Sequence, residues 1–208
     1  MRPSATTRIM YSLLRALCKL LLAATGGVKV EGMTNLEVQG ALILVSNHQS
    51  LLDPLVLMAC IPRRITFLAA SYLFQIPVVG QVIRSAGSMP VHQKKSDLGS
   101  IRKSLAVLER GGTIGLFPEG GVSSDGRLRH PMPGWAYLAL KSGAPVLPIG
   151  ITGSRDVLAP GTFILRRRRI CVKVGRPLML AKAAVIRHED LAVLNKKLER
   201  ELLSLLTD

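Results

Sequence analysis

Ala41-Leu42-Ile43-Leu44-Val45-Ser46 runs without interruption into Asn47-His48-Gln49-Ser50-Leu51-Leu52-Asp53. The first half is a short aliphatic run, the signature of a strand buried on both faces. The second half is polar and ends at Asp53-Pro54, which opens a helix with proline in its first turn. A buried strand, a polar turn and a helix form the repeating unit of a parallel α/β sheet. The junction recurs where Thr113 to Phe117 run into Pro118-Glu119-Gly120-Gly121. Working outward, strands are predicted near Val28 to Val30, Leu42 to Val45, Ile65 to Leu68, Met89 to Val91, Thr113 to Phe117, Val146 to Ile151 and Ile170 to Val174. Helical patterns lie after Pro54, from Val78 to Ser85, Leu98 to Arg110, Trp135 to Lys141 and Glu189 to Leu206. The expectation is a single-domain α/β sandwich over residues 27–208, with a mostly parallel mixed sheet flanked by helices.

Residues 1–26 carry a different pattern. Arg8, Ser12, Arg15 and Lys19 fall at spacings of four, three and four, with Ile9, Leu13, Leu14, Leu17, Leu20 and Leu21 between them. That is a helix with one basic face. Arg15 and Lys19 interrupt the apolar run too early for a span, and a signal peptide would carry its charges ahead of its apolar core. The segment is predicted to be an amphipathic helix lying at a membrane surface, the alternative being an ordinary helix packed on the domain.

Composition narrows the partners. In 208 residues, 28 Lys and Arg against 13 Asp and Glu leave a net charge of +15, so the surface should attract a polyanion. Aromatic residues at 4% provide poorly for base stacking, whereas a mean hydropathy of +0.32 suits membrane contact. Anionic membrane lipid is therefore expected as a partner and nucleic acid is not. Cys18, Cys60 and Cys171 are odd in number and far apart, which fits neither a disulfide framework nor zinc and points to a reducing setting.

In open α/β sheets the ligand crevice lies at the carboxyl ends of strands, so the two polar turns should converge on one site. His48 and Asp53 are five residues apart across such a turn. The turn can fold the carboxylate onto one imidazole nitrogen and leave the other to take a proton from a hydroxyl, a general base with its orienter. Alternatively, Asp53 is only a helix cap and His48 only structural. No GxSxG elbow offers a serine nucleophile, and no cluster has metal-ligand spacing.

Four elements together resemble the glycerolipid acyltransferase family that includes lysophosphatidate acyltransferases. They are Asn47-His48-x-Ser50-x-x-Asp53, Phe117-Pro118-Glu119-Gly120, Val146-Leu147-Pro148-Ile149 and Val174-Gly175-Arg176-Pro177-Leu178. The resemblance implies acyl transfer from acyl-CoA or acyl carrier protein, as co-substrate, to the free hydroxyl of a lysolipid acceptor. It implies no cofactor and a peripheral or monotopic place on the cytoplasmic membrane face. His48 and Asp53 would be catalytic. Asn47, Ser50, Glu119, Gly120 and Gly121 would bind substrate, Glu119 at the acceptor headgroup. Lysophosphatidate is the leading acceptor, ahead of another lysophospholipid or an aminolipid, with a non-catalytic membrane-binding protein the reading from outside the enzyme class.

The chain departs from the family pattern at three cations. Gln93 stands where the second motif carries arginine, Gly121-Val122-Ser123 replaces Thr-Arg-Ser, and Met132 replaces a lysine two residues before the glycine of the next helix. A phosphate monoester needs charge-assisted donors, so either nearby cations substitute or the acceptor lacks that monoester; substitution is the favoured expectation, by Arg127 first, after the Asp125-Gly126 turn, with Lys94, Lys95 and Arg129 as further candidates. The run Arg166 to Arg169 reads either as a solvated hairpin or as a contact for anionic headgroups or the phosphates of CoA.

Overall fold

The computed structural model describes residues 5–92 and 97–207. The strands are β1 (Val28–Glu31), β2 (Leu42–Ser46), β3 (Ile65–Ala70), β4 (Met89–Val91), β5 (Thr113–Leu116), β6 (Val146–Thr152) and β7 (Ile170–Val174). The helices are α1 (Ala5–Ala24), α2 (Asp53–Cys60), α3 (Val79–Ser85), α4 (Leu98–Glu109), α5 (Gly134–Ser142), α6 (Ser154–Val157) and α7 (His188–Leu206). The seven strands form one sheet in the order β1-β7-β6-β2-β5-β3-β4. Every pairing is parallel except β6 with β7. It follows that β2, β3, β4, β5 and β6 end at one edge of the sheet, and that β7 and β1 begin there.

The predicted strands all form, because each apolar run has a buried place to go. Leu42, Ile43, Leu44 and Val45 are wholly buried, and successive side chains face opposite layers. Leu42 and Leu44 pack with Cys18 and Leu22 of α1 and Val56 and Leu57 of α2, while Ile43 and Val45 pack with Leu108 of α4, Trp135 of α5 and Leu198 of α7. The sheet is thus covered on both faces. Trp135 crosses the second layer and donates its indole N–H to Asn195 Oδ1 at 2.7 Å, tying α5 to α7. The outermost strands β1 and β4 are short and only partly buried, as edge positions require.

Helix α1 has three faces rather than two. Tyr11, Cys18 and Leu22 enter the core cluster against α2. Arg8, Ser12, Arg15 and Lys19 form the adjacent stripe, and at 3.6 residues per turn Ile9, Leu13, Leu17 and Leu20 come round on the far side, all four exposed. The helix is therefore packed on the domain and at the same time presents an uncovered leucine-rich stripe. Among the described residues no helix is long and apolar enough to cross a membrane.

Candidate active site

Strand β2 ends at Ser46 and delivers the next residues to the edge where β5 and β6 also end. The segment 47–53 is clamped there from three sides. From β6, the Ile151 carbonyl accepts the Asn47 side-chain N–H at 2.8 Å and the Ile151 N–H donates to Asn47 Oδ1 at 2.7 Å. From the turn after β5, the His48 N–H donates to Glu119 Oε1 at 2.7 Å, and the Ser123 N–H donates to the His48 carbonyl at 2.8 Å. From the segment after α6, the Leu158 carbonyl accepts the Ser50 hydroxyl at 2.8 Å.

Within the clamp the chain turns back on itself. Asp53 Oδ2 lies 2.9 Å from His48 Nδ1 and accepts the N–H groups of Gln49 at 2.7 Å and Ser50 at 2.8 Å. Asp53 is wholly buried and is the first residue of α2, where the helix terminus favours a carboxylate. A carboxylate only accepts, so this contact puts the proton of neutral His48 on Nδ1 and leaves Nε2 as the basic nitrogen. The imidazole stacks on Phe117 with ring centres 4.0 Å apart and planes 19° apart, and its side chain keeps 13% of its surface exposed. Phe117 in turn lies 6.2 Å from Phe67, ring centre to ring centre, and nearly parallel to it. Gly115 makes that stack possible, since a Cβ there would come within 2.8 Å of the Phe67 ring. The imidazole is thus held by one hydrogen bond at Nδ1 and by an aromatic ring against its face.

Three of the residues expected at the substrate are engaged by the protein itself. Asn47 and Ser50, expected at the substrate, are buried and use their polar side-chain atoms on the backbone of Ile151 and Leu158. Glu119, expected at the acceptor headgroup, is buried too: one oxygen accepts from His48 and the other from the Arg129 N–H at 3.0 Å. All three brace the dyad loop. Burial pushes the Glu119 carboxyl above its ordinary value, against the pull of these two N–H groups and the nearby Arg129 charge.

The glycines fit the expected turn. Gly120 has φ of +72°, which glycine adopts without strain, and a Cβ there would come within 3.1 Å of the Met132 side chain. Met132, the residue in a lost lysine position, therefore lies across this turn. A Cβ on Gly121 would meet nothing within 4 Å. Lys94 and Lys95 lie outside the described residues. Arg127 has an exposed side chain on a turn that is pinned rather than loose: Asp125 accepts the Arg127 N–H at 3.0 Å, and Gln49 Nε2 donates to the Gly126 carbonyl at 2.9 Å. That last bond joins the Arg127 turn to the residue following His48. Arg129 folds its guanidinium onto the carbonyls of Gly121 and Val122, and Arg155, which no motif signalled, donates to the Ser123 carbonyl at 3.2 Å. A cleft of about 400 Å³ bordered by Gln39, Glu109, Lys141 and Lys182 opens at the opposite edge of the sheet, away from the dyad.

Comparison with known proteins points the same way as the geometry. An acyltransferase family model matches residues 27–152, which include the whole dyad loop and Glu119. A chloroplastic 1-acyl-sn-glycerol-3-phosphate acyltransferase of Arabidopsis thaliana is 30% identical over 166 residues, covering 78% of this chain and 46% of that protein. The Brassica napus chloroplastic enzyme is similar, and this chain spans about half the length of both plant relatives. A 1-acyl-sn-glycerol-3-phosphate acyltransferase of Bacillus subtilis is 26% identical over 196 residues, covering 93% of this chain and 95% of that one. The crystal structure of the 1-acyl-sn-glycerophosphate acyltransferase PlsC from Thermotoga maritima matches with a TM-score of 0.78 at 25% identity, over 99% of this chain and 83% of that one.

Proposed function

The chain belongs to the acyltransferase family, and from that premise we propose that it is a 1-acylglycerol-3-phosphate O-acyltransferase working at a membrane surface. The observation that carries this reading is the His48–Asp53 contact of 2.9 Å at the edge where β2, β5 and β6 end side by side. His48 Nε2 takes the proton of the acceptor hydroxyl as its oxygen attacks the thioester carbonyl of acyl-CoA or acyl carrier protein. The tetrahedral intermediate collapses, the C–S bond breaks, and the thiolate leaves and is protonated. A thiolate is a good enough leaving group that no covalent enzyme intermediate is needed, so transfer is direct.

Lysophosphatidate is the acceptor on this reading, with Arg127 as the headgroup cation. Support for Arg127 comes from its exposed side chain and from the bond between Gly126 and Gln49, which keeps its turn beside His48. Acyl transfer to a panel of lysolipids should favour lysophosphatidate, and Arg127→Ala should raise its KM about tenfold, the worth of one charge-assisted contact of about 1.4 kcal/mol. Preference for a diester or phosphate-free lysolipid, with the variant unaffected, would mean that the three missing cations report a different acceptor.

The uncovered stripe of α1 supplies the membrane contact, lying flat at the cytoplasmic face with Arg8 and Lys19 toward anionic headgroups. Replacing Leu13, Leu17 and Leu20 by serine should release the protein from anionic liposomes in a flotation assay. The same variant should unfold at an unchanged denaturant midpoint, because none of the three side chains enters the core. If it floats as well as the parent, the stripe is not the contact.

A further inference from the structure

The segment between α6 and β7 ends in an apolar tip followed by a basic run. Phe163 is 95% exposed, Ile164 70% and Leu165 44%, and Arg166, Arg167, Arg168 and Arg169 are all exposed. Among the described residues none of the four guanidinium groups forms an ion pair. An almost naked phenylalanine beside two aliphatic residues is costly in water, and four unpaired cations next to it call for an anion.

The base of the segment is fixed. The Arg166 N–H donates to the Val157 carbonyl at 2.8 Å, and the Arg168 N–H to the Thr25 carbonyl at 2.8 Å, at the end of α1. Leu158 accepts the Ser50 hydroxyl, so the segment is bonded directly to the dyad loop. Because β7 runs antiparallel to β6, the segment projects from the edge at which His48 lies. At the other side of the dyad loop, the stretch after β3 exposes Tyr72 and Val78 at the same edge.

We infer that Phe163, Ile164 and Leu165 form a wedge that inserts into an anionic bilayer, with Arg166 to Arg169 as a collar on the lipid phosphates. The occupant is a membrane because the two halves demand an apolar medium and a layer of anions within a few residues of each other, which is the profile of a bilayer interface. A free nucleotide-bearing thioester would satisfy the arginines and leave the wedge in water. The inference rests on the membrane-surface reading and adds an insertion point that α1 does not provide. With the wedge in the lipid, the edge that carries His48 is held at the interface, so a lysolipid acceptor can reach His48 without leaving the lipid.

The test is Phe163→Trp in the full chain, with vesicles of phosphatidylglycerol and phosphatidylcholine whose acyl chains carry bromine. Trp135 is the chain's one natural tryptophan and is 1% exposed in the core, so the parent protein gives the background. On vesicle-bound protein the new emission should shift to the blue and be quenched by the brominated chains, while that of Trp135 is not. Replacing Phe163, Ile164 and Leu165 together by serine should weaken partitioning about tenfold or more. Changing the four arginines to glutamine should weaken it on the order of 100-fold on anionic vesicles and little on neutral ones. No donor or acceptor is needed, so failure of the acyltransferase reading would leave these results standing. Bound protein whose introduced indole stays unquenched, or protein that does not bind, overturns the wedge. So does an arginine variant that binds vesicles normally but has a raised KM for acyl-CoA, which would assign the collar to the donor.

Discussion

Replacing His48 with alanine should lower turnover by about 10²-fold to 10⁴-fold, the range for loss of a positioned general base, with little change in fold. The fold should survive because the bonds that hold position 48 are made by its backbone, to Glu119 and Ser123, and an alanine keeps both. What disappears is the imidazole between Phe117 and Asp53. Asp53 keeps the Gln49 and Ser50 N–H groups, so its buried charge is not abandoned. Steady-state turnover alongside a denaturant melt checks both halves. Near-parental activity in a folded variant would remove His48 from the mechanism.

Asp53→Ala should be as damaging to turnover, on the order of 10³-fold or more, and should cost stability as well. One oxygen atom holds the imidazole and two N–H groups, and deleting it leaves both N–H groups without that acceptor in a loop where Ser50 and Leu52 are buried. A buried donor stripped of its acceptor costs about 1–3 kcal/mol, so a loss of about 2–6 kcal/mol is expected for the pair together. Asp53→Asn separates the two effects. Its carbonyl oxygen can still accept from the backbone, so most stability should return, while the lost negative charge leaves the histidinium of the transition state unsupported and turnover low. Because base and orienter act as a unit, adding Asp53→Ala to His48→Ala should lower activity little further. Multiplying losses in the double variant would mean that the two residues act separately.

Much of this architecture is legible in the residues themselves, for a physical reason. Runs such as Leu42 to Val45 and Val146 to Ile151 are apolar throughout because their strands are buried on both faces, and each stops where the chain reaches the polar edge. The same abruptness brings His48 and Asp53 into view, since a polar turn after a buried strand has nowhere to go but the ligand edge. Contacts between distant residues are a different matter. Asn47 pairs with Ile151 and Ser50 with Leu158, and no local pattern tells a buried amide bound to a strand 104 residues away from one that binds substrate. Glu119 poses the same difficulty, because a carboxylate at a strand end looks alike in sequence whether or not it also meets two backbone N–H groups. In α1, periodicity groups Leu13, Leu17 and Leu20 on one stripe and Tyr11, Cys18 and Leu22 on another, but only packing decides which stripe meets the core. Helix α6, of 4 residues, is too short to have a period at all.

The most direct test of the account is thiol release from acyl-CoA by the vesicle-bound protein, followed with and without lysophosphatidate and matched against acylated lipid formed. Base-assisted direct transfer predicts release that requires the lysolipid, equals the lipid product mole for mole, and falls with turnover in His48→Ala. Release that proceeds equally without lysolipid, or lipid product that persists in a folded His48→Ala variant, would contradict it.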